Sequence, residues 1–419
     1  MRIVPVVIVL AVGACGGGDA AQPDAVIPDA DSHDISGSTP ITGHVSGYAK
    51  RHFDMYPAIA GAFVRIETAD NDFLETTAAA DGTFTFMVDP TRGPFVLTAA
   101  QLGFEIVSIR EATGDLGEIR LHEATDVSHC SLTLHITGNS NFFYVRGPSV
   151  DGRAGDATET TKQIPAYGPN TPASVVGLAL DPTTNQLVNI AATQPDSFAG
   201  PTADLTLAFP AIPSLVTTTV HVRPPTTGLV PLAALNPGQA EVFREIDGDE
   251  RNATLVGTGS VRNAGAGMFD VTLHTTTGDL APTAAKAYFQ TDSPHYTLAL
   301  SIPLEDNTTA PAVPPISALE IHGDSIGTAT MTVHGDPGWQ FSEVAVFRLW
   351  KIFGPATLDA VPFPHLPTGL SLTQFADDFP ASIELDEMRN ASSDRPWTTD
   401  HHQASDYYSV DAQLVPRGR

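Results

Sequence analysis

Cysteine is almost missing from this chain, with two residues in 419, too few for a disulfide framework. Cations are scarce as well: 21 Lys and Arg stand against 48 Asp and Glu, for a net charge of −27. Charged residues make up only 16% of the sequence, so the acidity comes from withheld Lys and Arg. A surface of this kind repels phosphates and excludes a role in binding nucleic acid. No apolar run of about 20 residues occurs beyond the N-terminus, so no internal transmembrane helix is expected. With three Trp and 7% aromatics, an extended sugar-stacking platform is not expected either.

What the chain does contain is apolar residues, at 42%, and breakers, at 35 Gly and 34 Pro. The first figure is too high for a disordered protein, and the second predicts many short strands joined by turns. At roughly 150 residues per domain, the length predicts two or three domains. The fold class expected is all-β, as tandem β-sandwich modules behind a disordered N-terminal tether.

Met1-Arg2 followed by the apolar run Ile3–Val12 has the pattern of a signal peptide, residues 1–14. The order Val12-Gly13-Ala14-Cys15 resembles a bacterial lipobox. That resemblance implies cleavage before Cys15, lipidation of its sulfur and anchoring in a lipid bilayer by two or three acyl chains. Gly16 in place of Asp then points to the outer membrane or cell surface. Residues 15–40 carry Asp19, Asp24, Asp29, Asp31 and Asp34 with no Lys or Arg. So few large aliphatics cannot offset chain entropy, and an acidic tether reaching about 25–30 Å is expected.

Residues 41–124 begin with the strand pattern Ile41–Gly47. In Ala62-Phe63-Val64-Arg65-Ile66-Glu67, Ala62, Val64 and Ile66 share one face, while Arg65 and Glu67 take the other. Asp81-Gly82 marks a turn before Thr83-Phe84-Thr85-Phe86. Phe95-Val96-Leu97-Thr98-Ala99 and Leu102-Gly103-Phe104 follow. In this order the segments resemble the carboxypeptidase regulatory-like family, which implies a seven-stranded sandwich of transthyretin type with a structural or carbohydrate-adhesive role. The segment has neither His-Glu-x-x-His nor His-x-x-Glu, so the resemblance implies no activity.

Residues 125–311 are expected to form one or more further β-sandwich modules and 312–419 a C-terminal β module, linked by the Pro-rich Pro311–Pro315. Four echoes, Thr133-Leu134-His135, Thr219-Val220-His221, Thr272-Leu273-His274 and Thr332-Val333-His334, read as related strand edges in separate modules. Ser317–Ile321, Ala329–Val333, Ser342–Trp350 and Tyr407–Val415 read as strands, with Ser342–Trp350 buried on both faces for part of its length. Ala381–Arg389, after Pro380, has the apolar spacing of a short helix.

The best cluster for a metal is Asp400, His401, His402 and Asp406, although adjacent histidines diverge on regular backbone. Asp247-Gly248-Asp249-Glu250 lacks the later donors of a calcium loop and reads as a hairpin turn. Cys130 reads as a small buried hydrophobe. With no nucleophile elbow and no phosphate loop, no catalytic residue and no cofactor are assigned. The expected function is non-catalytic: surface display, adhesion or scaffolding on the cell envelope, with a glycan or protein as partner. The alternative is a carbohydrate-active or other hydrolase whose carboxylates meet only in three dimensions, about 5–9.5 Å apart. A metal carrier is the third reading.

Overall fold

The computed structural model describes residues 37–415 apart from 49–56, 123–129, 140, 148–149, 167–171, 174, 185, 194–195, 198–201, 212, 225–235, 247–248, 293–294, 311–317, 324–328, 337–338, 347–348, 372–382, 390–396, 398–405 and 412. Alternation builds the first strands. In Thr83–Val88, Phe84, Phe86 and Val88 are buried and Thr83, Thr85 and Met87 exposed. Gly82 sets up that strand at φ +81°, where a Cβ would lie 2.5 Å from the Val45 carbonyl oxygen. Only glycine fits there.

Seven strands lie in this part: β1 (Thr39–Tyr48), β2 (Phe63–Glu67), β3 (Phe73–Thr77), β4 (Thr83–Val88), β5 (Val96–Ala100), β6 (Ile106–Arg110) and β7 (Asp115–His122). They form two layers, β4-β1-β7 and β6-β5-β2-β3. Between them lies a core that includes Val45, Val64, Ile66, Phe84, Leu97, Val107 and Ile119.

The next strands are β8 (Cys130–Thr137), β9 (Phe142–Gly147), β10 (Val150–Gly155), β11 (Thr161–Ala166), β12 (Pro172–Ala173), β13 (Val176–Leu180), β14 (Leu187–Ala192), β15 (Asp196–Ser197) and β16 (Thr202–Ala208). All but the short pair β12–β15 form a seven-stranded sheet in the order β14-β13-β9-β10-β11-β8-β16. It curls until its end strands β14 and β16 approach, around Leu132, Leu134, Phe143, Ile164 and Leu207.

Then come β17 (Leu215–Val222), β18 (Asn236–Ile246), β19 (Asp249–Gly265), β20 (Met268–Thr276), β21 (Ala284–Asp292), β22 (His295–Ser301) and β23 (Thr308–Thr309). The last group is β24 (Ala318–His322), β25 (Thr330–His334), β26 (Phe341–Val346), β27 (Trp350–Gly354), β28 (Leu358–Pro362), β29 (Ile383–Arg389), β30 (Asp406–Asp411) and β31 (Gln413–Val415). Strands β28-β25-β24-β31 form a separate four-stranded sheet.

The remaining strands join into one 15-stranded sheet, β23-β17-β20-β19-β18-β21-β22-β30-β29-β26-β27-β6-β5-β2-β3. Within it, β27 runs parallel to β6 with Trp350 opposite Ile106 and Phe353 opposite Ile109. The first sandwich therefore shares its sheet with strands more than 200 residues later. Val107, Ile109, Phe341 and Phe353 face the first core, while Ile106, Trp350, Ile352 and Val344 face a second core with Leu319, Ile321, Met331 and Phe363. Apolar layers lie against both faces, which is why β5, β6 and β26 are buried almost throughout instead of alternating.

The protein is all-β: among the described residues there is no α-helix. Three local expectations are corrected. The helix expected over Ala381–Arg389 is strand β29, bonded to β26 on one side and β30 on the other. Two waiting ladders outweigh the helix propensity of Glu, Leu and Met, and Ile383-Glu384-Leu385-Asp386 also fits a period of two. Ser342–Trp350 is not one strand. β26 ends at Val346, the Leu349 amide donates to the Val346 carbonyl, and β27 starts at Trp350. Tyr407–Val415 divides between two sheets, since β30 pairs with β22 and β29 whereas β31 pairs with β24.

Candidate functional site

Among the described residues, a dense polar arrangement lies on the outer face of the first sandwich, where Arg65 and Glu67 point away from its core. Both are nearly fully buried, at 8% and 5% exposure. They are covered by the segment 362–370, which leaves β28 and packs Phe363, Leu366 and Leu370 against the second core. Arg65 donates from Nε to Glu67 (3.1 Å) and from its terminal nitrogen to Glu75 (3.1 Å), and its guanidinium stacks 3.7 Å from the centre of the Phe73 ring.

Each carboxylate also accepts a backbone amide of the covering segment. The His365 amide donates to Glu67 Oε1 (3.0 Å), and the His365 ring Nδ1 lies 2.9 Å from Oε2. The Thr368 amide and hydroxyl both donate to Glu75 Oε1, at 2.7 and 3.0 Å. Arg110 donates to the Pro362 carbonyl. Burial pulls the Arg110 guanidinium down to about 10, with Glu67 acting in the opposite direction. Two carboxylates thus clamp one strap, and the strap and Arg65 both bond to each of them. The arrangement holds two modules together and leaves little room for a ligand.

On the other face of the same junction, Lys351 Nζ lies 3.7 Å from Glu105 and 3.9 Å from the buried Glu343, with His122 3.9 Å from Glu105. Deeper in the seam, the Thr98 and Ser108 hydroxyls are 2.8 Å apart, and the Trp350 indole donates to Ser108 at 2.9 Å.

The Thr-x-His echoes are distributed differently from the expectation. Two of them are direct neighbours: β17 and β20 pair with Thr219 opposite Thr272, which places His221 opposite Asp270 and His274 opposite Thr217. His221 Nδ1 is 2.8 Å from Asp270, and His274 Nδ1 is 3.4 Å from the Thr217 hydroxyl. Burial lowers the pKa of His274 below its usual value. The antiparallel register sends the two histidines to opposite ends of the pair.

On β24 and β25, Glu320 Oε2 lies 3.2 Å from His322 Nε2 and 3.5 Å from His334 Nε2. His322 pairs with Thr330 and His334 with Ala318, so the histidines sit four strand positions apart, about 13 Å between Cα atoms. They reach the carboxylate from opposite ends. Among the described residues no three His, Cys, Asp or Glu side chains are arranged to hold a metal ion.

The sequence candidates Cys15, Asp400, His401 and His402 lie outside the described residues, and Asp406 is placed only as the first residue of β30, opposite Arg389. Cys130 opens β8. β18 and β19 pair antiparallel with Ile246 opposite Asp249, while Asp247 and Gly248 lie outside the described residues.

Sequence reasoning missed the strap clamp, because Glu67 and His365 are 298 positions apart. It also missed a recurrent turn that the sequence does spell out. In Asp81-x-Thr83, Asp89-x-Thr91 and Asp156-x-Thr158 the aspartate Oδ1 accepts from both the amide and the hydroxyl of the Thr two residues on. These hydrogen bonds lower the pKa of Asp81, Asp89 and Asp156.

No family model and no curated protein matches the chain. Among solved structures it is similar to two B repeat units of the collagen binding protein of Staphylococcus aureus, at 10% identity over 73% of this chain and 82% of that one, with a TM-score of 0.15. A pilus adhesin of Lactobacillus rhamnosus GG matches at 10% identity over 76% of this chain and 44% of the other, with a TM-score of 0.14. A tetra-tandem repeat from the extending region of a large adhesion protein covers 90% of this chain and all of its own, at 10% identity and a TM-score of 0.12. At these scores the likeness carries no argument about family, ligand or partner. What fold and site together define is an all-β protein whose principal charge cluster joins its first and last modules.

Proposed function

We propose that this is a bacterial envelope lipoprotein, anchored through acylated Cys15, whose β body serves display, adhesion or scaffolding without catalysis. The reading of residues 41–124 as a carboxypeptidase regulatory-like module belongs to the same proposal. The observation that carries the non-catalytic part is the fate of the charged groups. Arg65, Glu67, Glu75 and His365 are committed to a clamp between modules. The His221–Asp270 pair and the Glu320–His322–His334 group lie on open strand faces in different sheets. A glycan or another envelope protein is the expected partner.

Fractionation of native cells with intact-mass analysis of the N-terminal peptide tests the address. The expected result is acyl chains on Cys15 and flotation with the outer membrane. A soluble, unlipidated mature protein, or turnover of a hydrolase substrate panel by the purified chain, would overturn the reading.

A further inference from the structure

Among the described residues, the three most accessible of the exposed large apolar side chains are Met87 (55%), Leu74 (51%) and Phe73 (48%). All three lie at one end of the first sandwich. β4 finishes there with Met87 opposite Pro40, and β3 begins there with Phe73 opposite Glu67. The ion pair of Arg92 with Asp72 links the chain just beyond β4 to the residue just before β3. Phe73 lies on the outer face of its layer beside Arg65, and Met87 on the outer face of β4-β1-β7. Leu74, opposite the core residue Ile66, faces the gap between the layers at their open edge, since β3 and β4 are both edge strands. The exposed Pro90 and Pro94 follow β4 at the same end.

This end also receives the chain from Cys15. β1 starts at Thr39, opposite Val88, the neighbour of Met87. Residues 16–38, most of the segment read from its composition as an acidic tether, span about 25–30 Å as a coil. A link of that length holds this end near the anchoring surface at an effective concentration on the order of mM. Three side chains fall far short of the roughly 20–30 residues a side that a stable protein interface uses. So small a contact is useful only against a surface already held close, and the bilayer carrying acylated Cys15 is that surface.

We propose that the rim of Phe73, Leu74 and Met87 rests in the headgroup region of the bilayer that anchors Cys15, and that this membrane surface is zwitterionic. Apolar side chains enter the interface there, as they do on interfacial amphipathic helices. Asp70, Asp89 and Glu111 lie at the same end of a chain of net charge −27, so anionic headgroups repel it. Arg92 offers no compensation, because Asp72 already holds it. The inference rests on the reading of Cys15 as the anchor and adds the face that the body turns to the membrane.

The mature chain from Cys15, carrying Cys130→Ser, is coupled through the Cys15 thiol to a maleimide lipid in phosphatidylcholine vesicles at low surface density. Oxidation of each methionine to its sulfoxide by hydrogen peroxide is then followed by mass spectrometry. Met87 is expected to react about fivefold more slowly on vesicles than in the same chain capped with a soluble maleimide. Met268, partly exposed on β20, is the reference and is expected to react equally in both. Leu74→Glu is expected to return Met87 to its solution rate with an unchanged melting temperature. Replacing part of the lipid by phosphatidylglycerol is expected to weaken the protection at low salt.

Equal Met87 rates on vesicles and in solution, equal protection in Leu74→Glu, or equal slowing of Met268 would overturn the proposal. So would protection of the uncoupled chain that grows with protein concentration, which assigns the rim to a second copy. Because the lipid is attached chemically, the footprint does not depend on native acylation. An unacylated Cys15 in native cells overturns the address, and an unprotected Met87 overturns the docking.

Discussion

The Trp350 indole donates a hydrogen bond to the Ser108 hydroxyl at 2.9 Å, in a buried site, although 242 positions separate the two residues. Ser108 also meets the Thr98 hydroxyl, so one small side chain ties a strand pair of the first sandwich to the start of β27. The indole fills the second core while its polar edge is satisfied by the first sandwich. It is this junction that turns consecutive modules into a shared sheet.

Ser108→Ala leaves the Trp350 N–H buried without its acceptor. The expected loss is about 1–3 kcal/mol in urea unfolding. Trp350→Phe removes the donor as well, so the double variant is expected to lose less than the sum of the two single variants. Strict additivity would show that the hydrogen bond contributes nothing.

Glu67→Gln removes the charge that holds Arg65 and the His365 ring. Breaking one side of a buried pair is expected to cost about 3–5 kcal/mol, well above an exposed ion pair at about 0–1. Hydrogen exchange is expected to show the His365 and Thr368 amides deprotected before those of β1. Unchanged protection across 362–370 would mean that the strap is held by Phe363 and Leu366 alone.

Ending the chain at residue 311 strips β27 from β6 and the strap from β2. Ile106, Arg65 and Glu67 would then face water on a sheet built to be covered on both sides. Thermal unfolding of that fragment is expected to start well below that of the full chain, with aggregation. A fragment that melts at the full-chain temperature would show the first sandwich to be self-sufficient.

His274 gives a pH dependence of definite sign. Its folded pKa is lowered by burial, so between that value and the unfolded value near 6.5 the unfolded chain binds the proton that the folded chain refuses. Its contribution to stability is present above about 6.5 and declines as the pH falls below it. Replacement by Gln is expected to flatten the stability profile as the pH falls below about 6.5; an unaltered slope would assign that region to other groups.

Alternation and turn chemistry were readable where a strand has one wet face. β4 follows its period-two pattern residue by residue, and Asp81-Gly82 marks the turn ahead of it. The sequence of β29 is ambiguous because Ile383, Leu385 and Met388 among Glu and Asp satisfy a helical spacing as well as a strand one. Only its two neighbours decide between them. In β2, the alternation of Val64, Arg65, Ile66 and Glu67 was read correctly as two faces, yet it gave no sign that the polar face would be covered.

The chain by itself determined its strand content, its acidity, its signal-like N-terminus and many of its turns, because each depends on composition or on residues a few positions apart. Tertiary structure alone decided that β6 pairs with β27, that Glu67 receives His365 and that β3 is left as an edge. Those contacts join positions hundreds of residues apart, and no local propensity distinguishes the strand that finds a partner from the one that does not.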